Sequence, residues 1–304
     1  MIPTRLAGNG GDRTYRRRIR FFAVLGVVVV AVIATVLFLV VRSPGPTASA
    51  GSTAVTPGTG SASTARDGDV DHVIAEMVSV FENSTPEIQY AYVEDLDDGR
   101  GYTAGRAGFC TACGDLLTVV NDYTAKVPDN PLATYLPTLT RLAASSDDST
   151  NGLDGFEAAW RTAAKDPVFR QVQDQVTDAL YVAPARRLAQ DNGVHSALGL
   201  AILVDTAVEQ GTDDDPDSLP SLVKKTNADV RGAPSDGIDE TKWLRAFLDI
   251  RRATLENPSS PDTRDAWRES VGRVDALDAL LDAGNLDLRT PFTINPWGDP
   301  QTIN

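Results

Sequence analysis

The hydrophobic pattern changes its period between residues 70 and 104, and this change most constrains what the chain can fold into. Up to position 81 the apolar side chains fall on one face of a helix: Val70, Val73, Ile74, Met77, Val78 and Phe81. After Pro86, the apolar side chains of Ile88, Tyr90 and Tyr92 alternate as they do in a strand. The sequence therefore predicts a helix that leads directly into a β-ribbon.

Two carboxylates flank this change of period. Glu82 follows the last residue of the apolar helical face, where we expect an exposed carboxylate that projects past the packed side chains. Asp98 lies in Asp97-Asp98-Gly99, a turn sequence that precedes a second short strand over residues 100–104. Because the two acids lie on separate elements, they can face each other across a groove. The alternative is that acids at helix ends and turns are merely solvated.

The first 66 residues are predicted to attach a folded domain to a membrane. Residues 1–20 are rich in arginine, and residues 21–41 carry no charge over a length that suits a bilayer, which takes about 20 residues. Arginines before the span favour a cytoplasmic tail at 1–20 and a single-pass protein whose domain is extracellular. Residues 42–66 are rich in Ser, Thr, Gly and Pro and are expected to form a flexible linker to a domain at 67–304.

A cleaved signal is the alternative to this anchor. The small residues before Gly51 offer a cleavage site near Ala50, which would release a secreted protein. The pair Arg16-Arg17 also allows a twin-arginine signal.

The charge of the chain divides at the apolar span. Seven of the 28 basic residues and one of the 42 acidic residues lie in 1–42, so residues 43–304 carry a net charge of −20. Such an acidic surface argues against a nucleic-acid partner, which requires a basic patch. It would attract a polycation over a long range that salt shortens. Solubility alone is the other explanation for this charge.

Beyond position 115 the pattern is helical almost throughout, so we expect a mainly α fold. Residues 196–209 are apolar on nearly all sides, which predicts a buried central helix. Later amphipathic helices are anchored by Trp243 and Trp267. Residues 284–304 are expected to be irregular and packed against the domain.

Cys110 and Cys113 are the only cysteines. Outside the cell, this C-x-x-C pair is expected to form a local disulfide rather than a redox centre. No second pair is present to complete a zinc site, so we expect no metal and no cofactor. His72 and His195 are isolated in the sequence and are expected to be surface or packing residues.

Several motifs resemble one family of glycosidases. The segment Y-V-E-D-L-D-D-G-R-G-Y-T-A-G, followed by G-F-C-x-x-x-G-D, is similar to the signature of glycoside hydrolase family 46, the chitosanases. The resemblance continues in order through D-N-P-L-A-x-Y-L-P-x-L, F-L-D-I-R-R and A-G-N-L-D-L, and it covers about residues 70–304. It implies a lysozyme-like fold of two lobes, mainly α, with a small β-ribbon in one lobe and a cleft between the lobes.

The resemblance also implies roles for residues. Glu82 would be the general acid, Asp98 the general base, and Thr103 would position the nucleophilic water. The substrate-binding positions that it implies are Ser84, Tyr92, Arg100 and Asp115. The expected substrate is chitosan, a cationic glucosamine polymer, whose β-1,4 bonds a monomer would cleave internally with inversion. Local chemistry agrees, since burial would raise the pKa of Glu82 while Asp98, in an open turn, would stay ionised. Asp115 could also serve only as a cap for the helix that begins at 116.

The chain departs from the family pattern at positions that support the acid. Arginines are missing from the segments 174–184 and 220–224, although Arg251 remains, so we expect the salt-bridge network behind Glu82 to be dismantled. The central helix lacks the expected aromatic and histidine residues. These departures keep two alternatives open: a hydrolase of another amino-sugar wall glycan, and a non-catalytic sugar-binding wall protein.

Overall fold

The structure is a computed structural model that describes residues 61–97, 99–260 and 264–304. The predicted cytoplasmic tail 1–20, the predicted membrane span 21–41 and the linker up to residue 60 lie outside the described residues. Within the described ranges, no helix combines the length and the apolar character that crossing a bilayer requires.

Helices dominate the described chain, as the sequence predicts. The helices are α1 (Ser61–Asn83), α2 (Asp115–Lys126), α3 (Leu136–Ser145), α4 (Phe156–Ala163), α5 (Pro167–Thr177), α6 (Ala183–Asn192), α7 (Ala197–Gln210), α8 (Leu219–Val230), α9 (Glu240–Glu256), α10 (Arg264–Glu269) and α11 (Val271–Asp282). The strands are β1 (Val93–Asp95), β2 (Tyr102–Ala104), β3 (Phe109–Cys110), β4 (Phe292–Ile294) and β5 (Gln301–Ile303). A π-helical segment, Asp178–Val182, joins α5 to α6.

Helix α1 begins before the apolar face that predicts it. The linker was expected to reach residue 66, but residues 61–66 belong to the helix. No proline or glycine interrupts the chain between Ser61 and Arg66, so backbone hydrogen bonds alone can extend the helix beyond its packed face.

Two separate hydrophobic cores divide the molecule into two lobes. The sheet lobe has its core between β1–β3 and helices α2–α5, centred on Trp160 and Phe156. The helical lobe packs the end of α1 against α6–α11 and the β4–β5 pair, with Trp243 and Phe247 among its largest buried side chains. The chain passes from one lobe to the other after α1 and again through the π-helical segment. The predicted two-lobed, mainly α architecture agrees with these cores.

The β-ribbon starts later in the chain than the alternating pattern suggests. Residues 88–92 form no strand, because the backbone oxygen of Tyr90 accepts hydrogen bonds from the Trp160 indole and the Gln173 amide, both at 3.1 Å. The second strand begins at Tyr102 rather than at position 100. Gly101 precedes it with φ 68°, and a Cβ at this position would lie 2.2 Å from the Thr111 hydroxyl, so only glycine fits.

β2 is the central strand of a three-stranded antiparallel sheet in the order β1-β2-β3. Thr103 lies opposite Glu94 on one side and opposite Cys110 on the other. This register fixes Thr103 near the middle of the sheet, where the residue is only 4% exposed.

Helix α7 is the buried central helix that the sequence predicts. Most of its residues are buried, and the Ser196 hydroxyl accepts a hydrogen bond from Gly199 N at its start. The chain end packs against the helical lobe as expected, but it is more regular than expected. Strands β4 and β5 pair, and each places an isoleucine in the core of the helical lobe, Ile294 and Ile303.

Candidate active site

Glu82 lies in the last turn of α1, where the helical lobe faces the sheet lobe. Its side chain is 14% exposed, and Oε1 accepts a hydrogen bond of 2.5 Å from Nη2 of Arg273. Burial raises the pKa of the Glu82 carboxyl above its ordinary value, and the guanidinium of Arg273 opposes this effect. The carboxyl is therefore enclosed and paired, which agrees with the expected rise of its pKa by burial but not with the exposed position that the helix end suggested.

An ion-pair network lies behind Glu82, and the expectation that it is dismantled is wrong. Arg273, on α11, also contacts Asp205 at 2.9 Å and Glu209. Arg251, on α9, contacts the second oxygen of Asp205 at 2.7 Å. The side chains of both arginines are completely buried. The arginines of the network come from α9 and α11 rather than from the segments at 174–184 and 220–224, and of the two only Arg251 was apparent from the sequence.

The sheet lobe contributes Thr103 from the middle of β2. No described residue forms a hydrogen bond with its buried hydroxyl, which can therefore hold a small ligand such as water. The predicted base Asp98 lies outside the described residues. Its neighbours Asp97 and Gly99 have positive φ values of 54° and 84°, which fit the predicted turn.

Asp115 is the second partly buried carboxyl that the sequence singles out. Its Oδ1 accepts hydrogen bonds of 2.8 Å from the backbone N–H groups of Cys110 and Leu116. Burial raises its pKa to about 6, although these bonds and the nearby Arg100 favour the charged form. The cap of α2 is Gly114, so Asp115 begins the helix rather than capping it. Because both bonds use Oδ1, the other oxygen is the one that a ligand could contact.

The profile described as Glycosyl hydrolase family 46 matches residues 76–292. The chain belongs to this family.

Relatives of known activity support this assignment along most of the chain. A chitosanase of Bacillus subtilis (strain 168) is 51% identical over 226 residues, which are 74% of this chain and 82% of that protein. A chitosanase of Streptomyces sp. (strain N174) is 38% identical over 283 residues, 92% of this chain and 96% of that protein. This family 46 member is therefore a glycosidase.

A solved structure has the same fold. The family 46 chitosanase of Gynuella sunshinyii, in complex with chitotetraose, gives a TM-score of 0.71 at 47% identity. The superposition covers 77% of this chain and 97% of that one.

The remaining predicted binding residues of this family 46 protein have distinct surroundings. Ser84 follows α1 directly, with φ 59° and its N–H donating to Val80 O at 2.9 Å. The Tyr92 hydroxyl donates to Glu94 at 3.2 Å. Arg100 is 8% exposed, and its backbone oxygen accepts hydrogen bonds from the Thr111 hydroxyl and from Ala112 N. Arg100 and Asp115 thus lie close together in the sheet lobe.

Tyr181 is a residue of the site that sequence analysis missed. Burial raises its pKa well above the ordinary value for tyrosine, and the carboxylates of Asp115 and Glu82 add to this effect while Arg100 opposes it. Its phenol therefore lies within electrostatic reach of charged groups from both lobes. Tyr181 belongs to the π-helical segment, a distortion that is frequent at functional sites. The one sequence signal was its place in the motif L-Y-V-A-P at 180–184.

Cys110 and Cys113 are joined as a disulfide, with their Cα atoms 5.2 Å apart. One ligand atom from each of Cys110, Cys113 and Asp115 lies within 4.8 Å of the others, a grouping that could hold a metal ion. A disulfide offers no thiolate, so these residues do not fit a metal in their oxidised form. The disulfide instead closes the loop 110–113, in which the Cys110 N–H donates to Asp115.

Proposed function

We propose that this protein cleaves the β-1,4 bonds inside chitosan chains with inversion at the anomeric carbon. In this mechanism Glu82 protonates the leaving glycosidic oxygen, Asp98 deprotonates a water, and Thr103 orients that water for attack. Proton transfer from Glu82 and removal of a proton by Asp98 balance each other, so one water is consumed for each bond broken. An inverting pair of carboxyls requires a separation of roughly 6.5–9.5 Å to admit the water.

The proposal rests on one observation: the carboxyl of Glu82 is enclosed and hydrogen-bonded to Arg273. A general acid must hold a proton at the working pH, and its pKa must therefore lie above the ordinary glutamate value. Burial raises the pKa of Glu82 in this direction, while the hydrogen bond from Arg273 fixes the carboxyl in place. A protein that only bound sugar would not require a carboxyl enclosed in this way.

The substrate class is supported by the charges around the site. A glucosamine polymer carries ammonium groups, and residues 43–304 carry a net charge of −20. Asp115 supports binding at closer range, because its free oxygen can accept a hydrogen bond from an ammonium. The homologous chitosanase of Gynuella sunshinyii also forms a complex with chitotetraose.

The buried ion-pair network removes the main argument for a non-catalytic sugar-binding protein. That argument depended on the absence of arginines behind Glu82, and both Arg251 and Arg273 are present there. A wall glycan other than chitosan remains the alternative substrate, and parallel incubation of the protein with both polymers tests it.

The test of the mechanism is the first product that the purified protein releases from chitosan. New reducing ends should appear while the chains are still long, and NMR should show them as the α anomer. A β anomer in the first product would contradict inversion. The release of sugars from chain ends only would contradict internal cleavage.

We also propose that the domain acts outside the cell as a monomer, attached by a single span at 21–41. The arginines that precede this uncharged segment support the orientation. Protease added to intact spheroplasts should remove the domain, and protection of the domain would contradict the orientation. A free domain in the medium that starts near Ala50 would support the cleaved signal. Light scattering tests the monomer and should give the mass of one chain.

A further inference from the structure

Arg273 contacts more carboxyl groups than the proposed mechanism requires. Three carboxyl groups contact its guanidinium: those of Glu82, Asp205 and Glu209. Asp205 and Glu209 lie one turn apart on α7, so both point to the same side of the helix. The side chain of Glu209 is 4% exposed, and its carboxylate is held by Nη1 of Arg273. The proposed mechanism gives Glu209 no role.

Among the described residues, the buried cluster contains one acid more than it contains bases. Its three carboxyls face two guanidiniums, those of Arg273 and Arg251. If all three were ionised, the cluster would bury a net negative charge, which is costly in a region of low dielectric. The cluster becomes neutral when one carboxyl holds a proton.

Contact geometry indicates which carboxyl holds that proton. Asp205 lies between the two arginines and contacts both. Glu209 occupies Nη1 of Arg273. Glu82 shares Nη2 with Asp205, and its side chain is the most exposed of the three at 14%, against 1% and 4%. Glu82 is therefore the one carboxyl of the three that has no guanidinium nitrogen to itself, and its greater exposure gives a proton access to it.

We propose that Glu209 is a positioning residue that occupies the guanidinium of Arg273 and thereby keeps Glu82 in its acid form. Without the charge of Glu209, two carboxylates would face two guanidiniums, and the cluster would already be neutral with Glu82 ionised. The general acid would then lose its proton at a lower pH. This role rests on the proposed function of Glu82.

The other described groups that pack near Glu82 leave this balance unchanged. Helix α7 supplies Asp205 and Glu209, α9 supplies Arg251, and α11 supplies Arg273, whose guanidinium lies 5.4 Å from the ring of Phe81. The neighbouring strand β5 (Gln301–Ile303) carries no titratable side chain. Tyr181 stays neutral, because burial raises its pKa.

The test is the pH profile of kcat/KM on chitosan for the full-length Glu209→Gln variant. Glutamine keeps the shape of the side chain and an oxygen for Arg273 but removes the charge. The alkaline limb, which reports the acid, should move to lower pH by about one unit, because a nearby charge shifts a pKa by roughly 1–3 units. The acidic limb, which reports the base, should stay in place. An unchanged alkaline limb in a folded Glu209→Gln protein would overturn the proposal.

Two matched variants distinguish charge from packing. Glu209→Asp keeps the charge and should keep the alkaline limb, even if the shorter side chain lowers kcat. Asp275 is an exposed acid on α11, the helix of Arg273, and it pairs with Arg252 of α9. Asp275→Asn should leave the profile unchanged. If Glu209→Asp moved the limb as far as Glu209→Gln does, packing rather than charge would explain the shift.

Carboxyl NMR of the wild-type protein gives a second readout that requires neither the variant to fold nor the enzyme to turn over. The Glu82 resonance, assigned with Glu82→Gln, should titrate above the ordinary glutamate range while Glu209 stays ionised. A Glu209 resonance that titrates in place of Glu82 would reject the proposal. Wild-type protein that leaves chitosan intact would instead reject the proposed function, and the titration would still decide which carboxyl holds the proton.

Discussion

Nη2 of Arg273 lies 2.5 Å from Oε1 of Glu82, although the two residues are 191 positions apart in the sequence. The contact joins the end of the first described helix to the last one, and it links Glu82, at the face toward the sheet lobe, to the completely buried side chain of Arg273. It ties the position of the proposed acid to the packing of that lobe, so stability and activity depend on the same arginine.

Replacement of Arg273 by methionine should destabilise the protein and inactivate it together. The change leaves three carboxyls facing Arg251 alone, and an uncompensated buried charge costs about 3–5 kcal/mol. Urea unfolding at pH 7 measures this loss. The loss should shrink at lower pH, because protonation of the carboxyls removes the uncompensated charge.

Arg289→Met is the matched control for Arg273→Met. Arg289 pairs with Asp287 on the surface, where its side chain is 82% exposed, and exposed pairs contribute at most about 1 kcal/mol. Equal losses in the two variants would contradict the importance of the buried cluster.

The sequence predicted the elements that carry the site better than it predicted the contacts between them. The helical spacing of apolar residues at 70–81 predicted α1, and the apolar run at 196–209 predicted α7. Both were visible because a buried helical face requires apolar residues at regular positions in the sequence. Arg273 leaves no such pattern, since it lies between Val271 and Val274 on a helix that otherwise looks amphipathic. Only the packing of α11 against α7 turns it toward Glu82.

The segment at 88–92 shows the opposite error, in which contacts with distant parts of the chain prevent the strand that the local pattern predicts. Its alternating apolar residues predict a strand, but the Tyr90 hydroxyl donates to Asp174 at 2.8 Å and its ring lies beside the guanidiniums of Arg106 and Arg170. These partners lie far along the chain, so no local pattern reveals them.

Glu82→Gln should abolish turnover while leaving the fold and substrate binding intact. The amide has nearly the shape of the acid and can still contact Arg273, but it has no proton to give to the leaving oxygen. General acids contribute about 10²–10⁴-fold, so kcat should fall by at least that range. Release of reducing ends measures kcat, and calorimetry with chitosan oligomers measures binding. Glu87→Gln, at an exposed position beyond α1, should keep wild-type activity. Retained turnover in Glu82→Gln would exclude Glu82 as the acid.

Asp115→Asn should weaken binding of chitosan in a way that depends on pH. With a pKa of about 6, Asp115 is mostly neutral at pH 5 and mostly ionised at pH 7, where it can pair with an ammonium. A hydrogen bond to a charged group contributes about 1.5–3 kcal/mol, so KM at pH 7 should rise about tenfold or more, with a much smaller change at pH 5. The effect at pH 7 should also diminish with added salt. An equal rise at both pH values would show that the charge of Asp115 is not involved.

Asp115→Asn should also change how the free energy of unfolding depends on pH. A carboxyl whose pKa is raised in the folded state stabilises the protein below its ordinary pKa, and this contribution is lost as the pH rises through the folded value. For Asp115 that window runs from 3.8 to about 6. The wild-type free energy of unfolding should therefore fall relative to that of Asp115→Asn between these pH values. Parallel urea titrations at pH 4 and pH 7 measure the difference.

Tyr181→Phe tests whether the phenol between the two lobes contacts the substrate. Because burial and the carboxylates of Glu82 and Asp115 raise the pKa of Tyr181 well above its ordinary value, the phenol keeps its proton and acts as a hydrogen-bond donor at any working pH. Loss of one such bond costs about 1 kcal/mol or somewhat more, so kcat/KM should fall about fivefold to tenfold with an unchanged pH profile. Tyr135→Phe, which removes a surface hydroxyl that donates to Asp154 O, should leave kcat/KM unchanged. If the Tyr181 variant instead moved the alkaline limb, the phenol would be acting on Glu82 rather than on the sugar.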